Sequence, residues 1–308
     1  MQYIDAGIYD KYLSADMSTP ATISSTFSFG ASRCGTILLF IIGRKSNDMY
    51  IQLELGDFLS SLPQSVIRGD AVSLNDNVIR KIFNFAKLKK NDIYYHLGCG
   101  EGNTVAIAAK EFGIKKSVGI EIDKSLADKA RKHIANIKNG YIINADIRKA
   151  DISEGTVLLF WFGDLDMVET MTKRFKKELK DGARVITIWA PLSMTLPDKV
   201  EFPFFINKKP FKRARSIQQQ IKAIYGTKCI DFTASWLLAG RYIDALEVTP
   251  GEYRRFVNML QSMIIWINAW NMQVACEDEI PPPVQTYIGI LKTFFNIDLS
   301  SMITKEQI

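Results

Sequence analysis

Three glycines at alternate positions, Gly98, Gly100 and Gly102, separate an apolar segment at 93–97 from a segment with the apolar spacing of a helix. Glycine lets the backbone turn sharply and approach a ligand closely, which a side chain at these positions would prevent. The free N–H groups at the start of the following helix would face the same ligand. This segment therefore predicts a binding loop for a nucleotide-like cofactor.

The spacing of the glycines argues against a dinucleotide. A dinucleotide fingerprint requires Gly-x-Gly-x-x-Gly, and Asn103 occupies the place of its third glycine. Glu121 ends the next apolar segment, where a carboxylate can accept both hydroxyls of a ribose. Asp146 ends the third, where its oxygen can accept from an adenine amine while Ile147 covers the ring. Three strand ends would thus offer a backbone cradle, a ribose acceptor and an adenine acceptor.

These residues need a parallel sheet to bring them together. From Asn75 onward, apolar runs of strand length alternate with amphipathic runs of helix length, which predicts a doubly wound, mainly parallel α/β sheet covered on both faces. The predicted strands are 93–97, 117–122, 141–145, 157–162 and 184–189. Two edge strands are expected at 202–206 and 230–238, with a connecting helix at 216–225.

The rest of the chain differs in pattern from this centre. Residues 1–70 contain three β-branched and aromatic runs separated by turn residues, which predicts a β-rich addition. Residues 249–308 read as two helices joined by an acidic, proline-rich segment. We therefore expect a cofactor-binding domain at 71–248 with an addition at each end.

Composition sets outer limits on function. The chain has 308 residues, a net charge of +6 and only two histidines, and its four cysteines form no CxxC pair. We therefore expect no metal site, free thiols and a cytoplasmic location. The N-terminal residues lack a secretory pattern, and no apolar run is pure enough to predict a membrane span.

Three motifs together resemble the class I S-adenosylmethionine-dependent methyltransferases, in both order and spacing: His96–Gly102, Gly119–Asp123 and Asn144–Ile147. Residues from about 72 to 200 are most similar to the small archaeal protein-lysine methyltransferases related to Dot1-like enzymes. The segments 109–112, 115–119 and 177–185 carry this closer similarity. The resemblance covers under half of the chain and implies a Rossmann-like sheet of the seven-stranded type.

The resemblance also implies roles for individual residues. Contacts with S-adenosylmethionine are expected from His96, Gly98, Cys99, Gly100, Glu121, Ile122, Asp146 and Ile147. The glycine loop would hold the methionine part, Glu121 the ribose, and Asp146 with Ile147 the adenine. The segment 160–163 would line the acceptor channel, with Phe160 and Trp161 as pocket candidates. The family's acidic residue at the start of the glycine motif is His96 here, which is a departure.

Three hypotheses follow. The first is methylation of a protein, at lysine. The second is methylation of RNA, which the basic run Lys208–Arg215 could contact, although no Asn-Pro-Pro-Tyr-like tetrapeptide follows the fourth strand. The third is an inactive interaction protein that keeps the fold, because His96 departs from the family. An apolar stripe that includes Trp266 and Trp270 predicts a core or a homo-oligomer interface in the C-terminal helices.

Overall fold

The computed structural model describes residues 74–162, 165–189, 191–247, 249, 251, 254–295, 299, 300 and 303. The β-rich addition predicted for residues 1–70 and the channel residue Gly163 lie outside the described residues. The chain divides into two compact units. The first contains the described residues of 73–229 and 244–248, and the second contains those of 230–243 and 249–308. The domain boundaries expected near residues 70 and 248 stay predictions.

The first unit contains strands and helices in alternation. Its strands are β1 (Ile93–Leu97), β2 (Lys116–Glu121), β3 (Gly140–Asn144), β4 (Val157–Phe160), β5 (Arg184–Ile188), β6 (Thr195–Leu196), β7 (Lys199–Glu201), β8 (Phe204–Lys208) and β9 (Lys212–Arg213). Its helices are α1 (Asp76–Ala86), α2 (Asn103–Lys110), α3 (Lys124–His133), α4 (Leu165–Glu178) and α5 (Ile217–Tyr225). The bounds of β1 to β5 and of α5 agree to within two residues with the strands predicted between 93 and 189 and with the helix predicted at 216–225.

The main sheet has seven strands in the order β3-β2-β1-β4-β5-β8-β7. Strands β1 to β5 pair in parallel, and β8 pairs antiparallel with both β5 and β7. This confirms the predicted doubly wound, mainly parallel sheet. Because β1 to β5 are parallel, their carboxyl ends lie at one edge of the sheet, which we call the carboxyl edge, and their amino ends lie at the opposite, amino edge.

Side-chain caps fix where the helices begin. Asn75 accepts from the amide of Asn77 at 2.9 Å at the start of α1. Asp123 accepts from the amide of Leu126 at 2.9 Å at the start of α3. Such caps satisfy backbone donors that have no partner within the helix. The cap at Asp123 is important for the site because it fixes the chain immediately after β2.

The core between α4 and the sheet is apolar. Met171, Phe175 and Leu179 are buried there against β1, β2, β4 and β5. The rings of Phe175 and Phe160 meet edge to face, with centroids 5.5 Å apart. Burial of side chains of this size stabilises the folded state by roughly 2–3 kcal/mol each, so the sheet is a rigid base for its loops.

One predicted edge strand is wrong. Residues 230–238 lie largely in helix α6 (Phe232–Leu246), which Asp231 begins by accepting from the amide of Ala234 at 2.6 Å. Buried Ser235, Leu238 and Ala239 recur at helical spacing. The aromatic and β-branched composition favoured a strand, but the period of the buried positions decides for a helix. The other predicted edge strand, at 202–206, covers the turn between β7 and β8 and the first three residues of β8.

The described part of the second unit is helical, as expected for residues 249–308. Its principal helices are α7 (Arg254–Asn271) and α8 (Pro282–Phe295). Trp266 is buried, stacks on Trp270 with ring centroids 5.2 Å apart, and donates through Nε1 to Glu277 at 3.1 Å. The apolar stripe therefore packs within this unit, and the homo-oligomer stays a prediction.

The cysteines differ from the expectation of free thiols. Cys99 is free and buried, whereas Cys229 and Cys276 are disulfide-bonded. The expectation is therefore wrong for those two residues. In the part of the chain that the structure describes, no helix has the length and apolar character needed to cross a membrane.

Candidate active site

The glycine loop folds over the end of β2. The amides of Gly98 and Cys99 both donate to the carbonyl of Ile120, at 2.8 and 3.0 Å. Gly98, Gly100 and Gly102 have φ values of 80°, 53° and 85°, a region that residues with a side chain rarely adopt. The three glycines are thus required by the path of the loop as well as by its nearness to a ligand.

Added methyl groups would meet different surroundings along this loop. A Cβ at Gly98 would lie 3.0 Å from the ring of Phe162, which already closes one side of the loop. A Cβ at Gly100 would meet nothing within 4 Å. The backbone at Gly100 therefore borders open space that a ligand can fill.

The thiol of Cys99 lies beneath the loop and faces the protein. A Cβ at Gly119 on β2 would be only 2.5 Å from the Cys99 Sγ, so glycine at 119 makes room for this side chain. Burial, and then the nearby charge of Glu121, raises the pKa of the Cys99 thiol to about 12. The thiol is neutral at physiological pH and unsuited to act as a nucleophile. Only the backbone of Cys99 is placed to contact a cofactor.

The carboxylate of Glu121 joins two loops. It is nearly buried, and one oxygen accepts from the amide of Gly100 at 2.9 Å while the other accepts from the amide of Asp123 at 2.9 Å. A carboxylate offers about four lone-pair positions, so further hydrogen bonds can still be accepted. The structure thus brings the predicted ribose acceptor against the predicted glycine loop.

The predicted adenine end combines exposed and buried groups. Ile122 is 66% exposed, which is unusual for its type, whereas Ile147 is 5% exposed. The Asp146 carboxylate accepts hydrogen bonds from the guanidinium of Arg148. Nη2 donates to Oδ2 at 2.6 Å, and Nε donates to Oδ2 at 2.9 Å. These hydrogen bonds lower the pKa of Asp146, and the carboxylate is ionised at neutral pH.

His96 lies on β1, one residue before Leu97 and the glycine loop. Its Nδ1 is 2.6 Å from the hydroxyl of Thr104 at the start of α2. Burial lowers the pKa of His96 to about 3, so the imidazole is neutral at physiological pH. The neighbouring acidic residue, Glu101, pairs with Lys129 at 3.0 Å and is exposed. The charge of the family's carboxylate is therefore absent at position 96.

The aromatic segment after β4 divides between core and surface. Phe160 is 2% exposed, stacks on Phe162 with centroids 5.0 Å apart and packs against Phe175. All four residues of β4 are buried and Phe160 is the last of them, whereas Trp161 and Phe162 lie beyond the end of the strand. The structure thus places the Phe160 ring in the core, whereas Trp161 and Phe162 are half-buried.

Sequence reasoning missed two groups at the carboxyl edge. One is Asn144, whose amide donates to two backbone carbonyls of the Glu121–Ile122 turn. The other is an aromatic cluster in which Phe202 lies 5.9 Å from the ring of Trp189 and 5.7 Å from that of Tyr225. A tryptophan at the last position of the strand predicted at 184–189 was an available signal for the cluster.

Trp189 is also conformationally unusual. Its φ is 76°, although it is not glycine, and its amide donates to the carbonyl of Pro203 at 2.7 Å. A non-glycine residue in this region costs about 1–3 kcal/mol and persists where the surroundings enforce it. Because Ile188 pairs with Phe204, Trp189 and Phe202 both lie at the carboxyl edge.

The basic run begins at the opposite edge of the sheet. Lys208 pairs with Arg184, the first residue of β5, so it is at the amino edge. Lys209 donates to the carbonyl of Leu179, and Lys212 pairs with Asp198 at 2.6 Å. The first two residues of the run, Lys208 and Lys209, are therefore separated from the glycine loop by the length of the strands.

Comparisons with known proteins agree with the predicted resemblance. The family model described as histone methylation protein DOT1 matches residues 72–144. A protein-lysine N-methyltransferase of Saccharolobus islandicus (strain REY15A) is 40% identical over 119 residues, which are 36% of this chain and 71% of that protein.

Two further matches are methyltransferases of RNA. A ribosomal RNA small subunit methyltransferase A of Caldanaerobacter subterraneus subsp. tengcongensis is 33% identical over 86 residues, covering 28% of this chain and 31% of that protein. A solved structure of an RNA methyltransferase from Salinibacter ruber, in complex with S-adenosyl-L-homocysteine, is 25% identical with a TM-score of 0.41, covering 47% of this chain and 96% of the other.

The Saccharolobus relative decides the family, because it is matched along most of its length at substantial identity. The sheet order and the glycine loop at its carboxyl edge agree with that assignment. The chain therefore belongs to the DOT1-related, class I S-adenosylmethionine-dependent methyltransferases.

Proposed function

We propose that this chain transfers a methyl group from S-adenosylmethionine to the ε-amino group of a lysine in a protein. The Saccharolobus relative, a protein-lysine N-methyltransferase, supports this acceptor. The observation that carries the proposal is the bonded junction of the glycine loop with Glu121 through the amide of Gly100. It presents a backbone cradle and a hydroxyl acceptor side by side.

The residues present fit the cofactor. Open space at Gly100 admits its methionine part, and Glu121 keeps acceptor capacity for the ribose hydroxyls. Ile122 and Ile147 supply apolar contacts for the adenine, and Asp146 supplies an acceptor for its amine. Gly98 and Cys99 contribute their backbone.

His96 is assigned to the methionine end. A neutral imidazole carries one donor and one acceptor nitrogen. With Nδ1 engaged by Thr104, the ring is held in one orientation and its Nε2 serves a hydrogen bond to the amino acid part. The missing negative charge reduces attraction for the cationic amino group but leaves a directional polar contact.

The chemistry requires alignment more than acid or base catalysis. S-adenosylmethionine, when bound, supplies an electrophilic methyl group on a sulfonium. The chain must hold the acceptor nitrogen in line with that methyl, in its deprotonated form, and exclude competing water. We assign these tasks to the walls of the site and name no general base.

The acceptor side is proposed to be aromatic. Trp161 and Phe162 come directly after β4. Trp189 comes directly after β5, and Phe202 lies just before β8, which pairs with β5. Aromatic faces attract cationic ammonium groups by about 0.5–2 kcal/mol, and they also pack against the methylene stem of lysine. Phe160 remains a core residue that supports Phe162 from below.

Two alternatives have some support. RNA as acceptor is favoured by the match to a ribosomal RNA methyltransferase, but the basic run begins at the amino edge, with Lys208 and Lys209. An inactive interaction protein is favoured by His96. A cytoplasmic location and a homo-oligomer through the C-terminal helices stay predictions.

The experiment uses the full chain and begins with calorimetric titration of S-adenosylmethionine. Binding is expected, and Glu121→Ala is expected to lose it by about a hundredfold or more, because a polar site that loses its partner discriminates strongly. Glu101→Ala, an acidic residue of the same loop that pairs with Lys129, is the matched control and should bind normally. The absence of binding to the natural sequence would contradict the enzyme.

The acceptor is identified in a second step. Radiolabelled methyl groups are transferred to a cell extract that has been treated with nuclease or with protease. Label that resists nuclease, disappears with protease and is recovered as methyl-lysine after hydrolysis supports the proposal. Label that survives protease but disappears with nuclease identifies RNA as the acceptor instead.

A further inference from the structure

Asn144 is the last residue of β3 and lies opposite Glu121, the last residue of β2. Its Nδ2 donates to the carbonyl of Glu121 at 2.9 Å and to the carbonyl of Ile122 at 2.9 Å. The amide of Ala145 also donates to the Glu121 carbonyl, at 3.0 Å. The end of β3 therefore fixes the backbone of Glu121 and Ile122.

These bonds continue into the glycine loop. The backbone that Asn144 holds carries the Glu121 carboxylate, which accepts from Gly100 on one side and from Asp123 on the other. A single connected set of hydrogen bonds thus joins the ends of β3, β2 and β1. Few members of such a network can be replaced without disturbing the rest.

We propose that Asn144 is a positioning residue for the cofactor, which aims the Glu121 carboxylate and the Ile122 side chain by bridging their two backbone carbonyls. The inference rests on the proposed placement of the ribose at Glu121 and of the adenine at Ile122. Ile122 is 66% exposed, so little else in its surroundings holds it. The turn is held from the β3 side.

The chemistry of the bridge demands a primary amide. Two carbonyl oxygens that face the same point repel each other unless a group with two donors lies between them. The amide of Asn144 supplies two N–H donors without charge. An ionised aspartate has the same shape but no donor, and leucine has neither donor nor acceptor.

The test therefore compares Asn144→Asp with Asn144→Leu. Asn139→Asp and Asn139→Leu are the matched controls. The Nδ2 of Asn139 donates to the carbonyl of Ile114 at 2.7 Å, next to the opposite end of β3. For all four variants and the natural sequence, the Kd for S-adenosylmethionine is measured by calorimetry between about pH 5 and pH 8, and Tm is measured alongside.

Asn144→Leu is expected to weaken S-adenosylmethionine about tenfold at every pH. Asn144→Asp is expected to bind as weakly at about pH 8 and to recover several-fold toward pH 5. The carbonyls favour the protonated form of the new carboxyl, which raises its pKa above the usual value of about 3.9 and restores one donor. The KM for S-adenosylmethionine should rise, while kcat at saturation changes by less than about twofold.

The Asn139 variants should lower Tm without changing this Kd. The inference is overturned if the Asn144 variants bind as the natural sequence does, or if Asn144→Asp shows no recovery at low pH. It also falls if the Asn139 variants lose affinity to the same extent. Failure of the natural sequence to bind S-adenosylmethionine would overturn the proposed function and this inference together. If the natural sequence binds and Glu121→Ala loses affinity, the proposed function stands, and the Asn144 variants then test this inference alone.

Discussion

Two carboxylates, each 7% exposed, lie at opposite edges of the same sheet: Asp92 before β1 and Glu121 at the end of β2. Asp92 faces a cation, because the Arg184 guanidinium donates to Oδ2 at 2.5 Å. It also accepts from the hydroxyl of Thr156 at 2.9 Å and the amide of Lys89 at 2.7 Å.

Glu121 is bonded to two backbone amides and, among the described residues, has no cationic partner within ion-pair distance. Its charge is oriented by the chain but is not neutralised by a side chain. The difference teaches that burial of an acid does not by itself indicate a function. An acid paired with arginine stabilises the fold, whereas one held only by amides remains able to accept from a ligand.

The largest expected effect is on stability at the amino edge. Asp92→Ala leaves Arg184 without its carboxylate in a poorly solvated place, so the free energy of unfolding should fall by about 3 kcal/mol. Glu121→Ala removes two hydrogen bonds to amides that water can reach, and should cost only about 1 kcal/mol. Urea unfolding of both variants measures this, and a larger loss in Glu121→Ala would break the comparison.

The second effect is on the stability of the folded state at acidic pH. Since the folded pKa of His96 is about 3 and the unfolded value is 6.5, the folded state binds fewer protons between these pH values. The contribution of His96 to stability is therefore complete above about pH 6.5 and decreases as the pH falls, by roughly 2 kcal/mol between pH 6.5 and pH 5.

His96→Gln should remove this part of the acid sensitivity. His133→Gln is the control, because His133 is exposed and its Nδ1 lies 3.1 Å from the carbonyl oxygen of Glu101. Denaturant titrations at several pH values provide the measurement. An unchanged pH slope in His96→Gln would mean that the imidazole is already solvated in the folded protein.

The smallest effect compares two left-handed residues. Trp189 at the carboxyl edge and Lys87 at the amino edge have φ values of 76° and 51°. Glycine at either place removes backbone strain. Lys87→Gly should leave the KM for the acceptor unchanged, whereas Trp189→Gly should raise it about tenfold, which is about 1.4 kcal/mol. Steady-state kinetics with a lysine peptide decide this, and equal KM values would remove Trp189 from the acceptor side.

The sequence was sufficient to predict most of the sheet, the glycine loop and the placement of Glu121 beside it, because period and glycine spacing are local properties. It was not sufficient for Asn144, since a side chain that bonds to the backbone of a neighbouring strand depends on register. The burial of Phe160 was not predictable either, because it depends on packing against Phe175 of α4. The helix at α6 was missed because composition was weighed above the period.

The contact between Cys99 and Gly119 has an evolutionary consequence. A residue with any side chain at 119 would collide with Sγ, so these positions cannot vary independently. We expect that relatives with alanine or serine at 119 carry glycine at 99, because a Cβ at 119 would also lie only 2.9 Å from the Cβ of residue 99. The volume shared by these two residues therefore acts as one inherited character, although it is divided between the glycine loop and β2.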